Sequence, residues 1–221
     1  MPIYKKVNKI FFKKWSSEMA YVLGFFMADG SIDVNKRGSH YFSIQICDKK
    51  LLESIKHALG SNHKIATRKG VGNEKDRYRL QIGSREMCDD LRALGVSEEK
   101  TYTMEVPKVP EKYIGDFVRG YFDGDGNVWV GMVHKDRKKQ SLVIHTSFTS
   151  CSFNFLKDLK SKLKEKGLLG GCIYNRKNAN CLKYSIKNSL ILSEIMYNGS
   201  GNDLFLNRKK IIFEKFKRMR S

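Results

Sequence analysis

A short segment occurs twice in this chain and strongly limits the folds that the chain can adopt. The sequence GFFMADGSI at residues 24–32 recurs as GYFDGDGNV at residues 120–128. The likeness continues further, because a helical pattern that begins at Leu51 matches another that begins at Phe155. Self-similarity of this kind indicates a duplicated structural unit, and therefore a fold built from two related halves.

Each copy predicts the same order of elements: helix, two strands, helix, two strands, helix. Ser16 is a typical helix N-cap with Glu18 in the first turn, and Asp48 opens the next helix. Alternation of apolar and polar residues predicts half-buried strands. We expect these strands at residues 31–37, 41–47, 63–68, 77–82, 127–133, 141–148, 172–176 and 182–187. The predicted class is α+β, with two pseudo-symmetric αββαββα repeats.

Two of the three prolines mark the join between the copies. Pro107 and Pro110 restrict the backbone, so residues 106–110 are predicted to form a short, stiff linker. Pro110 also suits the first position of a helix. We expect an N-terminal repeat at residues 1–105 and a C-terminal repeat at residues 111–221.

Small residues recur at helical spacing in both copies. Gly24 and Ala28 lie four positions apart, as do Gly120 and Gly124, so each pair shares one helix face. Faces of small residues allow two helices to approach with their backbones almost in contact. We therefore predict that the two helices pack against each other.

This packing would place Asp29 and Asp125 side by side at the C-terminal helix ends, with Gly30 and Gly126 expected to supply the backbone freedom to leave each helix. The helix dipole disfavours a carboxylate at that end, so a cation should offset the charge. Oxygen ligands suit Mg²⁺, and ions beside a phosphate activate water and stabilise the leaving oxygen. The sequence predicts a metal centre for phosphodiester hydrolysis here.

Two simpler interpretations apply to the segment DGDGN at residues 123–127. An Asp-Gly pair after a helix is commonly only a turn, but here it is repeated after two helices with small-residue faces. An EF-hand loop needs Gly at its sixth position and Glu at its twelfth. This chain has Val128 and His134 at those positions, which excludes an EF-hand.

The charge of the chain points to a polyanionic partner. Lysine and arginine total 42 against 23 acidic residues, for a net charge of +19. Such an excess is typical of nucleic-acid binding, although a ribosome-associated or simply soluble basic protein has the same composition. Five cysteines without a CxxC pair indicate reduced thiols rather than a disulfide framework or a zinc site. We expect no secretory signal and no membrane span, and an intracellular location in cytoplasm, nucleoid or organelle matrix.

The chain resembles, over nearly its whole length, the single-chain, two-motif LAGLIDADG homing endonucleases. The matching segments are VLGFFMADG at residues 22–30 and VRGYFDGDG at residues 118–126. The resemblance implies a saddle of antiparallel sheets with the motif helices at the interface. It also implies that Asp29 and Asp125 are catalytic metal ligands, helped by the main-chain carbonyls of Ala28 and Gly124. Roughly two or three Mg²⁺ ions are expected, at positions that Ca²⁺ or Mn²⁺ would also occupy.

The resemblance extends to basic and polar residues around the predicted centre. Lys100 and Lys209 match lysines that the family places near the scissile phosphate, where a cation stabilises developing charge. Both are alternatively ordinary surface lysines of a lysine-rich chain. Asp48 and residues 150–152 fall where the family keeps polar residues that hold a water network. Met27 departs from the pattern, which often has an acid at that position.

Strand alternation assigns a polar face to each sheet, rich in side chains that bind base edges in the major groove. Phosphate is the expected partner of the basic residues at one hairpin tip, Lys135, Arg137, Lys138 and Lys139, and of Lys64, Arg68 and Lys69. The predicted DNA contacts are Ser31, Asp33, Asn35, Arg37, Tyr41, Ser43, Gln45, Lys64, Arg68, Arg77, Arg79, Gln81, Asn127, Trp129, Lys135, Arg137, Lys138, Lys139, His145, Ser147, Tyr174, Arg176, Lys183 and Ser185.

Together these features predict a monomeric, Mg²⁺-dependent, site-specific endonuclease that cuts double-stranded DNA at a long asymmetric site. We expect a freestanding or intron-encoded enzyme, since neither end of the sequence carries splice-junction residues. Two alternatives use the same basic surface: an intron RNA-binding maturase, and a DNA-binding regulator that has lost catalysis. The presence of both Asp29 and Asp125 argues against the regulator, because paired acids beside phosphate do not help a protein that only binds.

Overall fold

The fold is seen in a computed structural model that describes residues 5–97, 100–134, 140–199 and 203–220. The side chains of Lys100 and Thr101 are not part of that description. Four of the predicted phosphate contacts, Lys135, Arg137, Lys138 and Lys139, lie outside the described residues. No helix in the described ranges has the length and apolar character needed to span a membrane.

Within its described residues, the first half contains a short 3₁₀ turn at Phe11–Lys13 followed by four helices and four strands. These are α1 (Ser17–Asp29), β1 (Gly30–Val34), β2 (His40–Ile46), α2 (Lys49–Ala58), β3 (Ile65–Arg68), β4 (Arg77–Gly83), α3 (Arg85–Ala93) and α4 (Lys100–Thr103). The predicted helix starts are confirmed, since Ser16 Oγ accepts from the amide of Met19 and Asp48 Oδ1 from that of Leu51. The short helix α4 was not predicted.

The second half repeats the order after a 3₁₀ turn at Glu111–Tyr113. Its elements are α5 (Ile114–Asp125), β5 (Gly126–Val133), β6 (Ser141–Ser150), α6 (Phe153–Glu165), β7 (Cys172–Arg176), β8 (Ala179–Tyr184), α7 (Ile186–Tyr197) and α8 (Asn207–Arg218). Pro110 precedes the 3₁₀ turn, so the α-helix starts later than the sequence predicted.

Both halves form a four-stranded antiparallel sheet with the same topology. The strand orders are β1-β2-β4-β3 and β5-β6-β8-β7. Each motif helix packs on its own sheet, with the ring of Phe26 stacked on Phe42 at 4.6 Å and that of Phe122 edge-on to Phe148 at 5.4 Å. The predicted α+β class and duplicated architecture are confirmed.

Two predicted strands were placed wrongly at their ends. The strand expected to reach Arg37 ends at Val34, because Asn35 Oδ1 accepts from the amides of Arg37 and Ser39 and closes a turn. The strand expected at residues 182–187 lies at Ala179–Tyr184, and Ser185 is the N-cap of α7. Apolar residues of α7 continue the strand's pattern in sequence, so alternation alone did not mark the boundary.

The two halves meet where α1 crosses α5, and glycine makes the crossing possible. A Cβ atom on Gly24 would lie 2.1 Å from the carbonyl oxygen of Phe117, and one on Gly120 would lie 2.0 Å from that of Tyr21. On Gly124 it would lie 2.3 Å from the Cβ of Ala28. The predicted packing of small-residue faces is therefore confirmed.

We expect the substitution Gly120→Ala to destabilise the protein by about 1–3 kcal/mol or more, because the added methyl group meets rigid backbone. The matched control is Gly83→Ala, since a Cβ there would contact only the Tyr41 side chain at an ordinary 3.4 Å. Urea unfolding of both variants measures the difference. Equal stability of the two variants would contradict the assigned role of the crossing.

Candidate active site

The two motif helices end in the same way. Gly30 and Gly126 continue directly into β1 and β5, and their amides donate to the carbonyls of Phe26 and Phe122. Both glycines have extended backbone, with φ of −91° and −92°. The predicted need for unusual backbone freedom is therefore wrong. Space is the reason instead, since a Cβ at either position would lie 2.2 Å from the ring of the preceding phenylalanine.

The crossing brings the carboxylates of Asp29 and Asp125 to one place. Asp29 is exposed and Asp125 is partly buried. A Cβ on Gly124 would lie 3.1 Å from Oδ2 of Asp29, so the first carboxylate lies over the end of the second helix. Burial raises the pKa of the Tyr121 hydroxyl, and the charges of Asp125 and Asp29 raise it further, which places both carboxylates around one ring. The predicted juxtaposition of the two helix ends is present.

A cleft of about 570 Å³ opens beside these helix ends. Its walls come from both halves and include Asp29, Asp48, Gly124 and Leu206. Three basic side chains, Lys75, Arg77 and Arg208, also line it. A cleft lined by both carboxylates and cations suits a phosphate group together with metal ions.

The donors at the helix ends fit divalent cations that prefer oxygen ligands. The side-chain donors are two carboxylates, and the main-chain carbonyls of Ala28 and Gly124 belong to the same helix termini. Among the described residues, no group of three or more His, Cys, Asp or Glu side chains is placed to hold a metal ion. Ions here would therefore complete their coordination with water and with a phosphate of the substrate, as Mg²⁺ commonly does.

Lys209 is not a surface lysine. Its side chain is 4% exposed, and its ammonium donates to the carbonyls of Phe122 (2.5 Å), Gly126 (2.6 Å) and Asp123 (2.9 Å). Burial lowers the pKa of this ammonium to about 8, although the charges of Asp123, Asp29 and Asp125 oppose the shift. The cation thus lies at the negative end of the α5 dipole, where it stabilises the helix terminus.

A buried acid near the site was not predicted. Oδ2 of Asp123 accepts from the Tyr21 hydroxyl at 2.8 Å and from the Leu206 amide at 2.7 Å. Burial raises the pKa of this carboxyl to about 6, although those two hydrogen bonds and the charge of Lys209 act to lower it. The repeat offered a signal, because Asp123 occupies the position of Met27 in the first copy.

A buried arginine anchors the end of the chain to the same helix. Arg119 donates to the carbonyls of Leu204 (2.9 Å) and Met196 (2.6 Å) and forms an ion pair with Asp116 at 2.8 Å. Its guanidinium also lies over the Tyr21 ring, 5.3 Å from the ring centre. Sequence reasoning missed Arg119, which replaces Leu23 of the first copy. Its bonds hold the segment before α8 against α5, and so place Lys209.

The other polar residues that the resemblance assigns to the site lie in different surroundings. Asp48 lines the cleft while capping α2. Ser152 is buried, caps α6 and donates to the Met104 carbonyl at 2.6 Å, so its role is structural. The backbone of Lys100 begins α4, but its side chain lies outside the described part.

Most predicted DNA contacts share one face of each sheet, opposite the core residues Phe42, Ile44, Leu80 and Ile82 and their counterparts. Ser31, Ser43 and Gln81 lie side by side across the first sheet, and Asn127, Ser147 and Lys183 do so across the second. The other predicted contacts on these faces are Asp33, Tyr41, Gln45, Arg68, Arg77, Arg79, Trp129, His145, Tyr174 and Arg176.

The other described members of the predicted set are either buried or lie outside the strands. Ser43 is on the polar face but only 3% exposed, because Arg79 lies over it. Asn35 and Arg37 lie in the turn after β1, and Ser185 lies beyond the end of β8. Lys64 immediately precedes β3 and is exposed.

Comparisons with known proteins agree with this architecture. Residues 16–93 match the LAGLIDADG-like domain family. An uncharacterized protein of Methanocaldococcus jannaschii is 31% identical over 117 residues, which are 51% of this chain and 40% of that protein. The chain therefore matches less than half the length of this curated relative.

Solved structures of two meganucleases have the same fold. I-AabMI bound to uncleaved DNA aligns with a TM-score of 0.61 and 16% identity, over 90% of this chain and 88% of its own. I-SmaMI bound to uncleaved DNA with calcium ions aligns at 0.57 and 14%, over 93% and 90%. I-SmaMI bound to cleaved DNA aligns at 0.58 and 15%, over 93% and 89%. The resemblance and fold predicted from the sequence are confirmed.

We expect Lys209→Met to lower the free energy of unfolding by about 3 kcal/mol, because three buried carbonyls at the end of α5 would lose their donor. Lys210→Met is the matched control. The Lys210 ammonium lies over the ring of Phe205, 4.3 Å from its centre, and its loss should cost about 1 kcal/mol at most. Denaturant unfolding separates the two, and a Lys209 variant as stable as the control would be inconsistent with the buried role.

Proposed function

We propose that this protein, which carries a LAGLIDADG-like domain and has the two-repeat fold of the LAGLIDADG homing endonucleases, is a metal-dependent endonuclease that cleaves double-stranded DNA at a specific site. One observation carries the proposal. Asp29 and Asp125 meet at the ends of two helices in backbone contact, where the first strand of each sheet begins.

The sheets supply a surface for DNA. β1 and β5 follow directly from the carboxylates, so DNA bound along the polar faces would present its backbone to the helix ends. β-ribbons enter the major groove, and the net charge of +19 favours phosphate. Because the faces of the two halves carry different side chains, one protein molecule would read a long, asymmetric site. The DNA-bound states of I-AabMI and I-SmaMI support this assignment.

The chemistry would take place between the helix ends. Asp29 and Asp125 would hold divalent cations, Mg²⁺ being the proposed physiological ion, with the carbonyls of Ala28 and Gly124 as further ligands. Bound cations of this kind activate water and stabilise the leaving oxygen of a phosphodiester. The protein's part is to hold the two carboxylates at a fixed separation, which the rigid helix crossing does.

Lys209 would act as a positioning residue. Its ammonium bonds to carbonyls on both sides of Asp125, those of Asp123 and Gly126, and so holds the turn that carries this carboxylate. This differs from the predicted contact with phosphate, because the three donors of the ammonium point at carbonyl oxygens. Lys100 remains the residue proposed, from the resemblance, to stand near the scissile phosphate.

We expect Asp29→Asn and Asp125→Asn each to abolish double-strand cleavage, because a neutral amide is a poor ligand for a hard cation, while DNA binding is largely retained. The cognate site is first found by cleavage selection from a randomised library with Mg²⁺. Cleavage and binding are then both measured on supercoiled plasmid that carries this site.

Asp89→Asn is the control for these variants, since Asp89 is exposed on α3 and forms an ion pair with Arg92, three positions along the same helix. It should cut at the wild-type rate. Full cleavage by either the Asp29 or the Asp125 variant would contradict the proposed metal-binding role of these carboxylates.

DNA affinity should fall steeply with salt, because phosphate contacts release counterions. A protein with several such contacts loses on the order of a thousandfold in affinity between about 50 and 200 mM salt. Lys64→Ala and Arg68→Ala should each reduce the slope of log affinity against log salt by about one. Lys157→Ala, on α6 behind the second sheet, should leave it unchanged. A flat salt dependence of the wild-type protein would contradict a phosphate-binding surface.

A further inference from the structure

One charged cluster stands out on the polar face of the first sheet. Nη2 of Arg79, on β4, donates to Oδ2 of Asp33 on β1 at 2.8 Å and to Oγ of Ser43 on β2 at 3.2 Å. The Ser31 hydroxyl also donates to Asp33, at 2.9 Å. Three neighbouring strands thus hold one guanidinium across the sheet.

The cluster holds Arg79 without hiding it. Its side chain remains 42% exposed, and the bonds to Asp33 and Ser43 use Nη2. The remaining N–H donors are on Nε and Nη1. Partial burial acts to raise the pKa of Asp33, but hydrogen bonds from hydroxyl groups and the charge of Arg79 bring it below its usual value, so the carboxylate stays ionised. Little side-chain entropy remains for Arg79 to lose on binding.

The second half has no such cluster at the equivalent positions. By the repeat and the strand register, Asp33, Ser43 and Arg79 correspond to Trp129, Ser147 and Cys181. Trp129 stacks on His145 at 6.0 Å with the rings nearly parallel, and Cys181 is buried. One half presents a fixed cation where the other presents an aromatic, mainly apolar surface.

We propose that Arg79 reads a guanine in the half-site bound by the first sheet, and that Asp33 positions it. The inference rests on the proposed function and adds a specificity-determining residue to it. Guanine presents two acceptors, N7 and O6, to the major groove, which matches a side chain that only donates. Adenine and cytosine present donors there, so a fixed arginine disfavours both. The half-site read by the second sheet should lack this requirement at the equivalent position.

The test is a binding selection from randomised duplex DNA with Ca²⁺ in place of Mg²⁺, so that the readout does not depend on cleavage. The wild-type protein should select a site with a required guanine in one half only. Arg79→Ala and Arg79→Lys should lose that guanine preference, by roughly 10- to 100-fold, while the other positions stay as selected. Asp33→Asn should weaken the same preference and no other, which a general loss of structure would not do.

Arg68→Ala serves as the contrast, since Arg68 lies on the edge strand β3 and is proposed to bind phosphate. It should lower affinity for every sequence alike and keep the guanine preference. If the wild type selects a site and Arg79→Lys selects it with the same guanine preference, the assignment of Arg79 is wrong while the proposed function stands. If the wild-type protein selects no sequence at all, both fail.

Discussion

The backbone contact between α1 and α5 holds the two halves together and positions the candidate site. Gly24 and Gly120 let each helix approach the carbonyl oxygens of the other, and Gly124 leaves room for Ala28 and the carboxylate of Asp29. The same crossing joins the halves, closes the core and sets the distance between the two acids. Because helices in backbone contact cannot slide without steric clash, the geometry of the site follows from the packing.

The halves share a fold but differ in what surrounds their helix ends. In the second half, Asp123 and Arg119 of α5 form buried hydrogen bonds with the segment that follows α7. Lys209 of α8 forms a buried hydrogen bond with the end of α5. The first copy has Met27 and Leu23 at the positions of Asp123 and Arg119. Buried polar groups need specific partners, so this network fixes where the last helix docks. The two halves thus differ in their buried polar contacts. They also differ on their sheet faces, where the positions equivalent to the Arg79 cluster hold other residue types.

Sequence reasoning predicted the elements well where local chemistry defines them. The helices opened by Ser16 and Asp48 begin as expected, because an N-cap side chain satisfies amides only a few residues away. Strand ends were less predictable. Val34 ends β1 because of hydrogen bonds to Asn35, and the pattern near Ser185 is equally compatible with strand and helix. Such boundaries depend on which neighbour a segment packs against.

Four properties follow from residue type and spacing alone: the duplication, the small-residue helix faces, the two acids that end those helices and the basic character of the chain. The contacts of Lys209, Asp123 and Arg79, in contrast, are visible only in the folded protein. In the sequence, Lys209 cannot be distinguished from the many other lysines. In the structure it is buried against carbonyl groups at the end of α5, which is distant from it along the chain. From the sequence, Arg79 is one basic residue of a polar strand face. The sheet register places it beside Asp33 and Ser43. These contacts join segments distant in sequence, and no repeat or spacing around Lys209 or Arg79 encodes them.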